Sequence, residues 1–166
     1  MSSIDTREAE EALRNLSSAF IRNTRLAMKT ATVIVQKQAR AKHKFRSISG
    51  AAEASIETEV TQTNEGTIGI VEVNPRKDKK AMHAIYQHEG TGLYGFRHKY
   101  IEIYPKNKKA LRWVGPGGFV FAKSVLKNPG VKGDPFLYAA LTDKTNQIHQ
   151  VFEEYYNRTV REAGLE

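Results

Sequence analysis

Ser55-Ile56-Glu57-Thr58-Glu59-Val60-Thr61-Gln62-Thr63-Asn64-Glu65-Gly66-Thr67-Ile68-Gly69-Ile70-Val71-Glu72-Val73 is the stretch in which the chain changes its period. Ile56, Thr58 and Val60 alternate with Glu57, Glu59 and Thr61, the period of two expected of a half-buried strand. Asn64-Glu65-Gly66 supplies a turn, and residues 67–73 make a second strand, so the stretch reads as a hairpin. Upstream the apolar residues recur with a helical period instead. The class is therefore α+β.

The upstream helix opens at Asp5 and Glu8, a capping pair, and runs to Ala41. At 100° per residue, Ala9, Leu13, Leu16, Phe20, Ala27, Ala31 and Ile34 share one stripe. Arg14, Arg22, Arg25, Lys29 and Arg40 fall on roughly the opposite side. At about 1.5 Å per residue such a helix spans roughly 50 Å, against about 40 Å for a compact domain of this size. It either breaks, with Thr30, Thr32, Val33, Ile34 and Val35 as the weak point, or projects and needs a partner.

Downstream, a basic loop at 75–80 leads to a short element at 82–89 whose type the pattern leaves open. Residues 100–104 alternate as a strand that Pro105 ends. Residues 111–114 and 119–126 read as strands around Gly115-Pro116-Gly117-Gly118. Asp134 as N-cap, Pro135 at the first helical position and Gly164 as stop delimit a closing helix. Its face of Leu137, Ala140, Leu141, Ile148, Val151, Phe152 and Tyr155, interrupted by Lys144, is to dock on the sheet. Burying the larger of these contributes on the order of 10 kcal/mol before entropy. The expected architecture is a long N-terminal helix (1–50), an antiparallel sheet with a long loop (51–130) and a closing helix (131–166), in one domain.

The 166 residues carry a formal charge of +8, which favours an anionic partner. Its arrangement says more than its total. Between Glu11 and Glu53 there is no acid, while Arg14, Arg22, Arg25, Lys29, Lys37, Arg40, Lys42, Lys44 and Arg46 are basic. Glu53, Glu57, Glu59, Glu65 and Glu72 then follow with no base before Arg76. Segregated charge suits pairing between copies of one chain, although two solvated faces look the same in sequence. The chain has no cysteine, which excludes disulfides, thiolate metal sites and thiol catalysis within it. No apolar run approaches membrane-spanning length, and residues 1–11 are polar and acidic, unlike a signal or transit sequence.

Enzymatic constellations are thin. Gly90-Thr91-Gly92-Leu93-Tyr94-Gly95 matches the G-x-G-x-x-G pattern, whose mechanism needs a strand before it and a helix after it. The residues that follow look like a strand, and the glycines read better as a mobile loop. His83 and His88 are five apart, which suits neither a helix face nor a strand face, so zinc would need Glu89 and His98 brought in by the fold. No G-x-S-x-G or H-E-x-x-H sequence occurs. Neither a catalytic residue nor a cofactor or metal site is expected. Nucleic acid is the stronger rival: Tyr100, Tyr104, Trp113, Phe119 and Phe121 are interleaved with Arg97, Lys99, Lys106, Lys108, Lys109 and Arg112. Alternating aromatics in strands more often fill a core, however.

Three stretches form an ordered series: Tyr104-Pro-Lys-Asn-Lys-Lys-Ala-Leu111, Phe119-Val-Phe-Ala-Lys-Ser-Val125 and Asn128-Pro-Gly-Val-Lys-Gly-Asp-Pro-Phe-Leu137. The series resembles the tail-completion, or neck, proteins of long-tailed bacteriophages. Tyr86-Gln-His-Glu-Gly-Thr91 looks like that family's tyrosine followed by an E-x-G-T-type element, and Ser49-Gly-Ala-Ala-Glu-Ala-Ser-Ile56 stands where the family has a small-residue turn before a strand. The resemblance covers about residues 20–155. It departs around residues 44–50, which lack the family's proline and threonine, and at the loop 92–98.

The resemblance implies a virion structural protein without catalysis, placed at the head–tail junction and present in host cytoplasm during assembly. It implies a homo-oligomeric ring, a hexamer by family likeness, between head-closure and tail-terminator proteins, with non-specific DNA contact and no membrane. Arg22, Arg25, Lys29, Tyr86, Glu89, Gly90, Thr91, Lys106, Lys108 and Lys109 are the expected subunit or channel contacts. A basic DNA-binding module is the alternative.

Overall fold

The computed structural model describes residues 7–45, 49–76 and 82–165. Asp5, Arg46 and Asp78, together with the side chains of Glu8 and Ala9, lie outside what is described, so the expected capping pair does too. The chain runs α1 (Arg7–Ala41), α2 (Ala51–Ala54), β1 (Ile56–Thr63), β2 (Gly66–Val73), α3 (Met82–Glu89), β3 (Ile101–Ile103), β4 (Leu111–Gly115), β5 (Gly118–Ala122), β6 (Val125–Asn128) and α4 (Phe136–Glu162). This is the expected α+β order. In place of the expected single sheet, the described residues form three antiparallel two-stranded ladders: β1–β2, β3–β6 and β4–β5. The run 119–126 breaks after Ala122, so β5 pairs back on β4 while β6 pairs with β3.

α1 does not break. Its 35 residues continue through Thr30–Val35, where Thr32 is buried and its hydroxyl donates to the Lys29 carbonyl at 3.0 Å. Packing overrides the weak helix preference of the β-branched cluster. Besides Thr32, the buried positions are Ala19, Asn23, Ala27, Ala31, Val35 and Ala39, one every four residues. A four-residue step advances 400°, so this row winds about 40° per step around the helix. Leu13 and Phe20, in the straight stripe expected from sequence, are exposed as a result. The row is mostly small, the kind of i±4 ridge along which a second helix can lie.

α4 lies along that row, antiparallel to α1. Asn23 Nδ2 donates to Thr159 Oγ1 at 3.1 Å and to Glu162 Oε2 at 2.9 Å, while Gln38 and Lys42 reach Asp143 at 3.1 and 2.7 Å. The first half of α4 also docks on the strands, as expected: Phe136, Ala140, Val35, Ala39 and Ile56 form the core, with Val71, Val73, Leu137 and Ile148 packed against it. Leu141, assigned to the docked face, stays half exposed.

The ends of α4 differ from and agree with expectation respectively. Pro135 is the cap, its carbonyl accepting from Ala139 N at 3.0 Å, and Phe136 is the first helical residue. The Asp134 carboxylate caps nothing in α4, because the Lys44 amide takes it at 2.6 Å and so ties the segment after α1 to the start of α4. At the other end Gly164 has φ +70°, Gly164 N donates to Arg161 O, and Leu165 N donates to Val160 O. That pairing is a Schellman motif.

The β1–β2 hairpin lies against α1 through Thr58, Val60, Gly69, Val71 and Val73. Gly69 is required there. A Cβ at that position would sit 2.6 Å from both Met28 Sδ and Thr32 Cγ2. Gln36 and Arg40 side chains both donate to the Ile56 carbonyl, at 2.7 and 2.6 Å, fixing where β1 starts. Arg40, grouped with the outward basic face in sequence, is therefore a structural tie.

Candidate assembly surfaces

The expected contact residues fall in three separate places. Arg22, Arg25 and Lys29 come together with Ile21, Leu26, Thr58 and Val60 around an open groove of about 610 Å³ between α1 and β1. Arg22 is also held by Glu162. That carboxylate accepts from Arg158, Asn23 and Arg22, which hold its pKa down at about 2. Arg25 and Lys29 thus form the more available part of the basic face.

Tyr86, Glu89, Gly90 and Thr91 lie at the C-terminal end of α3 and just after it. The glycine-rich stretch is a clasp rather than the mobile loop expected. Thr91 N donates to Val131 O and Leu93 N to Pro129 O, both at 2.8 Å, while Val131 N donates back to Thr91 Oγ1 at 2.9 Å. Gly90 has φ +83°, and a Cβ there would meet Gly133 N at 2.8 Å. The glycines let two backbones touch. They follow a helix, not a strand, and lead into a single 3-10 turn at Gly92–Tyr94, so the phosphate-binding geometry is absent from this stretch. Among the described residues no group of His, Asp and Glu is arranged to hold a metal. Nor is any described helix long and apolar enough to cross a membrane.

His88 faces inward beside this clasp, its ring 5.1 Å from that of Phe136 and 5.3 Å from that of Tyr138. Burial lowers its pKa below 6.5, against the opposing pull of Glu89 and Asp134, and its Nδ1 has no protein partner. It borders an apolar cavity of about 400 Å³ between α1, β2 and α4, lined among others by Met28, Val35, Val71, Leu141, Ile148 and Phe152. Asn23 Oδ1 is the other buried side-chain polar atom without a protein partner among the described residues.

Lys106, Lys108 and Lys109 are exposed in the loop that enters the β4–β5 hairpin. The hairpin turns through Pro116-Gly117, with Gly118 at φ +113°. Its register puts Leu111, Trp113, Val120 and Ala122 on one face and Arg112, Val114, Phe119 and Phe121 on the other. Apart from Arg112 both faces are apolar; Leu111 and Ala122 are partly buried, and the larger side chains on each face are exposed. Trp113 is 42% exposed, Val114 75%, Phe119 61% and Phe121 65%. The Arg112 guanidinium lies 4.6 Å from the Phe119 ring centre, the hairpin's own cation–π contact. From Ile103 to Gly133 the chain has no acid and seven bases.

The outer face of β1–β2 has the opposite character. The pairs Glu57–Glu72, Glu59–Ile70 and Thr61–Ile68 point away from α1. Ile68 is 50% exposed and Ile70 40%. Sequence reasoning found the basic lysines of 106–109 but took the hairpin aromatics for core. The acid-free run 103–133 was the available signal that this region faces outward. No protein-family model, no characterised protein and no solved structure matches the chain.

Proposed function

We propose that this chain is a non-catalytic structural component of the head–tail junction of a tailed bacteriophage, one subunit of a ring that completes the tail around the DNA channel. The observation that carries the reading is the β4–β5 hairpin, a ribbon with exposed apolar side chains on both faces that carries Arg112 and is entered through the exposed Lys106, Lys108 and Lys109. A soluble subunit that ended its working life as a monomer would gain nothing from such a ribbon. The ordered series across residues 104–137 supports the specific class, and the uninterrupted α1 supports a part that is completed by neighbours. Electron microscopy of the purified protein, alone and with head-closure and tail-terminator proteins, tests it. A closed ring with a central channel is expected. Single subunits or open filaments in the presence of those partners would refute it.

A second reading, a DNA-binding module, is favoured by the Arg25–Lys29 groove and by the cations beside Trp113 and Phe121. It expects duplex DNA to be retarded at physiological ionic strength, with affinity falling steeply as salt rises. Retardation by isolated subunits that form no ring would make this the better account.

A further inference from the structure

We infer that the β4–β5 hairpin is a docking arm that packs its Arg112–Val114–Phe119–Phe121 face on the outer face of β1–β2 of a second copy of this chain. The proposal rests on the assembly reading above and names the contact that would build it. Two surfaces of one molecule are complementary in kind and are both uncovered. The arm offers two phenylalanines and a valine beside Arg112, in a region without acids. The receiving face offers Ile68 and Ile70 beside Glu59 and Glu72, in a stretch from Glu53 to Pro75 without bases.

Charge selects the occupant. A second arm would set cation against cation, and a second receiving face would set carboxylate against carboxylate, so each surface rejects its own kind. Two ribbons stacked face to face keep the spacing of about 10 Å usual for packed sheets. That spacing brings the phenylalanines onto the isoleucines and Arg112 to the rim of glutamates.

Because arm and receiver are different patches, the contact is heterologous and leaves one of each free in every dimer. One hairpin face buries less than the roughly 800 Å² per partner of a standard interface, so a single contact is weak. Closing a ring makes the last contact intramolecular and stabilises the whole.

The absence of cysteine makes the contact easy to trap. Phe121→Cys and Ile70→Cys, made in separate chains, are mixed under mild oxidation. The expected product is the mixed disulfide dimer, with little of either homodimer, and the two changes in one chain should give a ladder of covalent oligomers. Adding Arg112→Glu to the arm chain should lower the mixed yield about tenfold, and Glu59→Arg in the receiving chain should restore it. All four positions lie on exposed faces of the ribbons, and circular dichroism checks that each variant folds.

No mixed dimer, equal yields of all three disulfides, or a yield indifferent to the charge changes would each overturn the arm. A ring seen by microscopy without the mixed disulfide would sink the arm and spare the assembly reading. A ladder that grows into open filaments would do the reverse. If Arg112→Glu abolished DNA retardation while leaving cross-linking untouched, the arm would be a DNA contact and the inference would fail.

Discussion

The inner and outer sides of the molecule use similar residues to opposite ends. Phe136, in the core, is 1% exposed and is met by the rings of His43, Phe45 and His88. Phe121, on the arm, belongs to a ribbon whose two strands, among the described residues, pair only with each other. The chain invests its fold in the first region and leaves the second unfinished. An aromatic residue is thus a packing device or an attachment device according to whether the elements around it come from the same chain.

The core side should break hardest. Phe136→Ala removes the largest fully buried side chain and should cost about 3–5 kcal/mol, read from the shift of the urea midpoint. A loss under 1 kcal/mol would mean that the core is no better sealed than the arm. Gly69→Val should cost about 1–3 kcal/mol by overpacking β2 against α1. Adding Met28→Ala to it should recover only part of the loss, because Thr32 Cγ2 presses on the same point as Met28 Sδ.

How much of this was legible in sequence divides along the same line. The β1–β2 hairpin was readable because one face is buried and Asn64-Glu65-Gly66 sits at the turn. The C-terminal stop at Gly164 was readable because a left-handed cap has a local residue requirement. The α1 interface was half readable. A wheel at 100° per residue assumes a straight stripe, whereas the buried row steps by four and carries Asn23 in it. An asparagine whose Nδ2 donates to Thr159 and Glu162, more than 130 residues away, leaves no local mark. The arm was misread because alternation reports two faces but not whether anything covers them. The glycine clasp was misread for a related reason: its partner backbone, 129–133, is some forty residues downstream.

pH separates the two ends of the helix pair. Burial keeps His88 neutral in the fold, so the unfolded chain takes up its proton first as pH falls below 6.5. Stability should be flat above that value from this group and decline below it, toward the lowered native pKa. His88→Gln should flatten that part of the curve. Glu162 acts at lower pH. Its carboxylate is held at about 2, so its contribution is full above 4.5 and drains away between 4.5 and about 2. Glu162→Gln should lower stability at neutral pH and remove that acid limb. If Glu162→Gln left the acid limb unchanged, the bonds from Arg22, Asn23 and Arg158 would not be stabilising the helix pair.

The arm should show the smallest effect on stability. Phe121→Ser deletes an aromatic ring, a change that in a core costs several kcal/mol, yet here unfolding should shift by no more than about 0.5 kcal/mol. Arg112→Ala should likewise cost no more than the 0.5–1 kcal/mol of an exposed cation–π pair. Chemical denaturation measures both. A loss of 2 kcal/mol or more for Phe121→Ser would place the arm within the subunit's own folding unit and erase the contrast with Phe136. If stability holds while self-association by sedimentation falls, the aromatic surface of the arm serves a contact that the subunit cannot make within itself.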